Sequence, residues 1–261
     1  MRNFLTLFVL TMPLLVSGPV HALEIDERPM IGLALSGGGT KAGAHIGVLR
    51  VLEENRVPID YIAGTSAGAI IGSLYAAGLS PDEIEAAVAG IDWDDMLEDR
   101  PRRADLPYRR KREGFNYLVK YRPGYDEGEI RIPLGLVQGQ KITQFFRRYF
   151  HAYADPRDFD ELPTPLRVVA TDLTSGEAVV IGEGDLALAV RASMSIPVFF
   201  APVRVDGRLL IDGGPANNLP IDVVRQMGAD IVIAVDITAR LLHDEEIDSA
   251  VSVADQMTNI L

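Results

Sequence analysis

Ser66 stands between two glycines in Gly64-Thr65-Ser66-Ala67-Gly68, directly after an apolar run at 61–63 and before the small-residue stretch 69–74. A serine on a sharp strand-to-helix turn has its hydroxyl lifted clear of a sheet, ready to act as a nucleophile, and flanking glycines permit the strained backbone. A chain with 24 glycines produces such a string by chance, so two further strings have to carry the case. In Leu35-Ser36-Gly37-Gly38-Gly39-Thr40-Lys41 a triple glycine follows the apolar run 31–35. Consecutive backbone N–H groups at the start of a helix can cradle a phosphate or hold the oxyanion of a tetrahedral acyl intermediate. Thr40-Lys41-Ala42 lacks the Gly-Lys-Ser/Thr ending of a phosphate-binding loop, which favours the oxyanion. The third string, Asp212-Gly213-Gly214, follows the apolar stretch 208–211 and leaves a carboxylate at a strand end. Ordinary turn chemistry explains that string equally well on its own.

The histidines shift the balance. There are four, and His21 falls in a segment expected to be removed; His45, His151 and His243 lie in no motif that marks a catalytic base. A serine activated directly by a carboxylate is then the economical reading. A triad of Ser66, Asp212 and His243 has the chain order of an ordinary α/β-hydrolase and stays open. Against it, only one strand–helix unit precedes the Ser66 turn.

Gly37-Gly38-Gly39-Thr40-Lys41, Gly64-Thr65-Ser66-Ala67-Gly68 and Asp212-Gly213-Gly214, in this order, resemble the patatin-like phospholipase family. The resemblance runs from about residue 30 to 239 and takes in Ala44–Leu49, Gln138–Lys141, Ala170–Leu173 and Arg191–Pro197. It implies a three-layer α/β/α sandwich with a mostly parallel central sheet and a nucleophile elbow. It also implies a Ser–Asp dyad lipid acyl hydrolase of the phospholipase A type: Ser66 the nucleophile, Asp212 its base, the amides of Gly37, Gly38 and Gly39 the oxyanion hole. No cofactor or metal is implied, and the substrate class is phospholipid or another lipid ester. Ala42 stands where the family usually has glycine, and Lys41 where arginine is common. A non-catalytic lipid-binding module is the rival from another class, and the intact Ser66 and Asp212 argue against it.

At 261 residues with 48% hydrophobic content the chain reads as one α/β domain over residues 23–261. Residues 1–22 read as a signal peptide: Arg2, an apolar run over 4–15, then Val20-His21-Ala22 as a small-x-small cleavage site. The expected locations are periplasmic, outer-membrane-associated or secreted, and the absence of cysteine argues against a lipoprotein anchor. Removing residues 1–22 takes away Arg2 and shifts the net charge from −12 to −13. Such an acidic chain is a poor nucleic-acid binder and is repelled by an anionic bilayer. Arg100, Arg102, Arg103, Arg109, Arg110, Lys111 and Arg112 oppose that trend, beside the apolar Leu106, Pro107 and Tyr108. Arg109, Arg110 and Arg112 are candidates for contact with anionic headgroups, at ~1 kcal/mol per charge near the surface; a solvated loop is the bland alternative.

The elements that must position these residues alternate. Strands are expected near 31–35, 60–63, 166–171, 178–181, 202–205, 208–211 and 231–236, with helices near 42–55, 67–78, 81–89, 139–152, 185–193 and 217–227. Ser80-Pro81-Asp82-Glu83 is a helix start, with Ser80 as N-cap. Residues 92–137 lack steady periodicity and read as a flap over the site mouth, with Trp93 as a packing anchor. Ile247, Val251, Ala254, Met257 and Leu261 recur at helical spacing up to the last residue, so the chain reads as truncated after 261. The resemblance makes a continuation into a small POTRA-like domain and a β-barrel plausible, as in patatin-like type V autotransporters. Changing Arg109, Arg110 and Arg112 together to Ser is expected to lower cosedimentation with anionic vesicles; unchanged sedimentation rules out headgroup docking by this cluster.

Overall fold

The computed structural model describes residues 28–97, 103–113, 124–126, 129–131, 134–153, 157–238, 240–248, 252–253 and 256. Along the chain β1 (Ile31–Leu35) leads through a single 3-10 turn into α1 (Gly43–Glu54), and β2 (Tyr61–Thr65) leads into α2 (Ala67–Ala76). Next come α3 (Pro81–Ala89), α4 (Trp93–Leu97), α5 (Tyr108–Glu113), the hairpin β3 (Gly124–Asp126) and β4 (Glu129–Arg131), and α6 (Gln140–Tyr149). The short β5 (Arg157–Asp158) precedes β6 (Leu166–Asp172), β7 (Ala178–Ile181), β8 (Glu183–Gly184) and α7 (Leu186–Ser193). The last stretch holds β9 (Val203–Val205), β10 (Arg208–Asp212), α8 (Gly214–Asn217), α9 (Ile221–Gln226) and β11 (Ile231–Val235).

The central sheet runs β11-β1-β2-β6-β10-β9, with β7 also paired on β6. Its core, β11-β1-β2-β6, is parallel, as expected when helical crossovers return each strand to the same end. The hairpin β9–β10 and strand β7 join antiparallel. Register explains how. Val168 and Val169 pair with β7 on one side and with β2 on the other. Ala170 and Thr171 pair with β7 on one side and with β10 on the other. So β2 and β10 lie end to end along the same side of β6. Thr65 is opposite Val169 and Asp212 opposite Ala170, so the two strands converge on one point.

The two-residue period of the strands sorts side chains to two faces. Leu33, Leu35, Ile62, Leu166, Val168 and Leu210 face a core shared with α1, α2, α3, α6 and α7. Ala34, Ala63 and Val169 face Val223 and Val224 of α9. Small residues are needed on this second face: a Cβ on Gly32 would lie 2.1 Å from Val224 Cγ1. Helix α2 is buried nearly all round because Ala67, Gly68, Ala69 and Gly72 let it sink into the core.

The elements expected from sequence are present with small shifts, and the capping box of α3 joins Ser80 and Glu83 reciprocally. Two differences are physical. The helix expected over 217–227 starts only at Ile221, after Pro220 as its N-cap, because the residue before a proline is turned away from helical dihedrals; a separate short α8 ends at Asn217. The 92–137 excursion has order of its own in α4, α5 and the β3–β4 hairpin, and Lys141 Nζ of α6 ties α4 down at 3.0 Å from Asp95 Oδ1. Trp93 is 46% exposed, so it opens α4 without anchoring it in the core. The signal segment 1–22 and most of the expected C-terminal helix lie outside the described residues.

Close packing makes a sharp prediction about α2. A Cβ on Gly68 would meet the Leu35 carbonyl oxygen at 2.2 Å and its carbon at 2.6 Å, both backbone atoms that cannot swing away. Gly68→Ala is expected to cost about 2 kcal/mol or more, read as a lowered thermal midpoint, while Gly47→Ala, inside α1 where the Cβ meets nothing within 4 Å, raises it slightly.

Candidate active site

Ser66 sits between β2 and α2 with φ 50° and ψ −114°, a conformation that a residue with a side chain pays for at about 1–3 kcal/mol. The strain falls on the serine itself. The flanking glycines serve space: a Cβ on Gly64 would lie 2.5 Å from the Gly68 oxygen, and one on Gly68 would strike Leu35 as described. The elbow therefore depends on its glycines for close approach of backbone to backbone.

Helix α7 ends in the jig that holds this turn. The Ser193 hydroxyl accepts the Ser66 N–H at 2.8 Å and donates to the Val169 carbonyl at 2.6 Å. Val169 is the residue of β6 where pairing passes from β2 to β10. The Ser193 carbonyl accepts the Gly213 N–H at 3.3 Å, and the Ser195 carbonyl accepts the Asp212 N–H at 2.9 Å. Ser195 is itself held by Arg191, whose guanidinium donates to its hydroxyl and packs 4.6 Å from the Phe200 ring. One segment thus fixes the backbone of both Ser66 and Asp212. A Cβ on Gly213 would lie 2.3 Å from the Val169 oxygen, so glycine is required there as well.

Asp212 is 1% exposed and Ser66 5%. Burial pushes the Asp212 carboxyl from 3.8 up to about 6, against the opposing pull of the Ser66 hydroxyl and the Gly214 N–H, both of which favour the charged form. Gly214 donates to Asp212 Oδ1 at 2.8 Å. Oδ2 has no well-aligned hydrogen bond, although the Ser66 hydroxyl lies near enough to act on the carboxyl. The pair faces each other loosely, as groups that tighten only around a substrate often do.

The triple glycine loop lies on the other flank. Gly37 donates its N–H to the Asn218 carbonyl at 3.1 Å. The N–H groups of Gly38 and Gly39 find no acceptor among the described residues. Gly39 has φ 55°, a left-handed value suited to glycine. The Ala67 N–H, at the start of α2, likewise has no acceptor among the described residues. Ser36 anchors the loop: its N–H donates to Val235, its hydroxyl accepts from the Ile237 N–H, and its carbonyl lies 2.9 Å from His45 Nε2. Burial holds the pKa of His45 below its usual value, against the pull of Ser36 and Asp236, so the ring is a neutral donor to Ser36.

Other residues singled out in the sequence lie apart. His243 is exposed, caps a short 3-10 turn and donates its N–H to Glu246 Oε2 at 2.9 Å; His151 is exposed as well. Asp172 accepts the Thr174 N–H and shapes the turn after β6. In the stretch after Arg191, Met194 and Phe200 belong to the core, while Val198 is 74% exposed at φ 70°. A hollow of about 510 Å³ on the β6, β7 and β10 face, lined by Arg167, Val179, Ile181, Arg208 and Leu210, includes neither Ser66 nor Asp212. Arg109 is exposed on α5; the side chains of Arg110 and Arg112 lie outside the described set. Sequence reasoning did not assign the roles of Ser193, Ser195, His45 or Asn218. The strings around Arg191 and after Asp212 were the available signals.

Comparison with known proteins decides the family. The family model described as patatin-like phospholipase matches residues 33–225. The chain belongs to the patatin-like phospholipase family. It is 35% identical over 210 residues to human patatin-like phospholipase domain-containing protein 6, covering 79% of this chain and 13% of that protein. It is 34% identical over 212 residues to an NTE family protein of Mycobacterium tuberculosis, covering 81% of this chain and 50% of that protein. The patatin-like chain thus spans half or less of the length of these relatives. Among solved structures, VipD of Legionella pneumophila aligns with TM-score 0.46 at 19% identity over 74% of this chain and 47% of that one.

The raised Asp212 pKa has a consequence for stability. The folded state binds this proton more tightly than the unfolded chain, so the group's contribution is complete below the ordinary carboxylate range and is lost as pH rises through about 6. Asp212→Asn removes that loss. It is expected to melt higher than the parent at about pH 8 and to gain little at about pH 4, as read by differential scanning calorimetry.

Proposed function

We propose that this chain is a serine lipid acyl hydrolase of the phospholipase A type, with Ser66 as nucleophile and Asp212 as its general base. The observation that carries the reading is the meeting of β2 and β10 on one side of β6. It sets a strained serine against a buried carboxyl whose pKa lies near 6. A base near neutrality is matched to taking a proton and returning it.

In the first step the Ser66 hydroxyl oxygen attacks the fatty-acyl ester carbonyl while its proton passes to Asp212. The resulting oxyanion is held by the N–H groups of Gly38 and Gly39, with that of Ala67, the residue after the nucleophile, as a further donor. Collapse breaks the ester bond, and Asp212 returns the proton to the departing alcohol oxygen of the lysolipid. Water then attacks the acyl-serine, gives its proton to Asp212, and the fatty acid leaves as Ser66 recovers its hydrogen. Gly37 takes no direct part in this scheme because its N–H is held by Asn218. The substrate is read as phospholipid presented at a membrane surface, and the apolar leader at 1–22 supports action after export.

The test is fatty-acid release from mixed phospholipid vesicles. Ser66→Ala and Asp212→Asn are each expected to lower turnover by about 10³-fold or more, and His243→Ala to leave it unchanged. For the parent, kcat/KM should rise with pH through about 6, since the base acts only when ionised. Activity that survives Asp212→Asn, or that disappears with His243→Ala, would overturn the dyad.

A further inference from the structure

Asn218 occupies a position that folding alone does not explain. Its backbone carbonyl takes the Gly37 N–H at 3.1 Å, removing one of three loop amides from any role toward substrate. Its side-chain oxygen lies against the α-carbon of Gly37. A Cβ on Gly37 would lie 2.5 Å from Asn218 Oδ1, 3.6 Å from Asn218 Cγ and 3.2 Å from Ser66 Cβ. The carboxamide and the nucleophile's side chain therefore crowd the same point, and glycine at 37 keeps that point open between them.

The carboxamide oxygen satisfies no donor among the described residues. Asn218 Oδ1 is itself buried, although the residue as a whole is only half-buried. The preceding Asn217 is the opposite case: its Nδ2 donates to Asp222 Oδ1 at 2.8 Å, and its carbonyl accepts the Thr65 hydroxyl. A buried amide oxygen left unmatched is rare enough in native proteins to call for a reason. Rotation about its last torsion exchanges oxygen for NH₂ in nearly the same volume, and no protein partner resists it.

We propose that Asn218 is a further catalytic residue, its side-chain NH₂ donating to the oxyanion beside the amides of Gly38 and Gly39. This rests on the reading of Ser66 as nucleophile. Asn218 thus replaces the amide it takes from Gly37. A neutral donor suits the place. A cation beside the nucleophile would favour the charged form of a nearby carboxyl and weaken it as a base, whereas an amide stabilises developing negative charge without adding a charge of its own.

The experiment measures kcat and KM for a soluble chromogenic fatty-acyl ester with the full chain, Asn218→Ala, Asn218→Asp and Ser66→Ala, each with its thermal midpoint. Asn218→Ala is expected to keep KM within about threefold and to lose about 10²–10³-fold in kcat, the usual effect of removing one oxyanion donor. Asn218→Asp, near-isosteric but able only to accept and negatively charged, should be no better than the alanine variant at a parental midpoint. Asn218→Ala within threefold of the parent overturns the proposal, as does an Asn218→Asp that keeps turnover, which would make the group an acceptor. If the alanine variant does not fold, the aspartate variant decides by the same criterion. Turnover that persists in Ser66→Ala would instead bring down the nucleophile reading itself.

Discussion

The site depends on one feature of β6: a single side of this strand is shared, end to end, by two others. The parallel β2 occupies it as far as Val169, and the antiparallel β10 takes over at Ala170. A strand end normally leaves backbone groups to be satisfied by something else. Here the Val169 carbonyl accepts the Ser193 hydroxyl at the changeover, and the same hydroxyl accepts the Ser66 N–H. Sheet pairing thus delivers the serine and the aspartate to one place from opposite directions, and α7 fastens both. Little of this positioning rests on loops, whose backbone moves more easily.

Among the described residues the hydrogen-bond partners of the pair are neutral: backbone carbonyls, the hydroxyl of Ser193 and the N–H of Gly214, with Arg191 donating to Ser195 behind them. A cation against Asp212 would have made it an ordinary low-pKa carboxylate. Dryness and the lack of a paired charge raise it, and the fold bears that as lost stability. The strained Ser66 dihedrals are a second such burden in the same place. Both are carried by a sheet whose two faces are well covered.

The sequence revealed the elements well and the joinery poorly. The strands at 31–35 and 166–172 could be read because buried parallel strands leave continuous apolar runs, those at 178–181 and 231–235 because they are short runs of β-branched residues, and α3 because Ser80, Pro81 and Glu83 are local capping chemistry. The Ser66, Asp212 and triple-glycine strings could be read because turn and glycine requirements are local too. What stayed hidden was nonlocal. Nothing in the string around Arg191 says that the Ser193 hydroxyl will meet residue 66 across 127 positions, or that His45 will meet Ser36 with a neutral ring. The glycines at 64 and 68 were legible as an elbow but for a different reason: the sequence suggested dihedral freedom, and the structure shows lack of room, beside the Gly68 backbone for Gly64 and beside Leu35 for Gly68. The end-to-end meeting of β2 and β10 needs pairing registers that a two-residue period does not encode.

The joinery also sets when the molecule can first act. Thr65 bonds across 152 positions to Asn217, Ser36 across 201 to Ile237, and Ser66 across 127 to Ser193. A chain emerging from a ribosome carries its serine long before residue 212 has been made, and contacts of such range form late because loop closure has to precede them. The half-made or unpaired chain holds every chemical group of the early motifs and none of their arrangement. The facing pair of Ser66 and Asp212 therefore arrives only once β10 has been made and paired, so the early motifs wait in the growing chain as separate, unassembled parts.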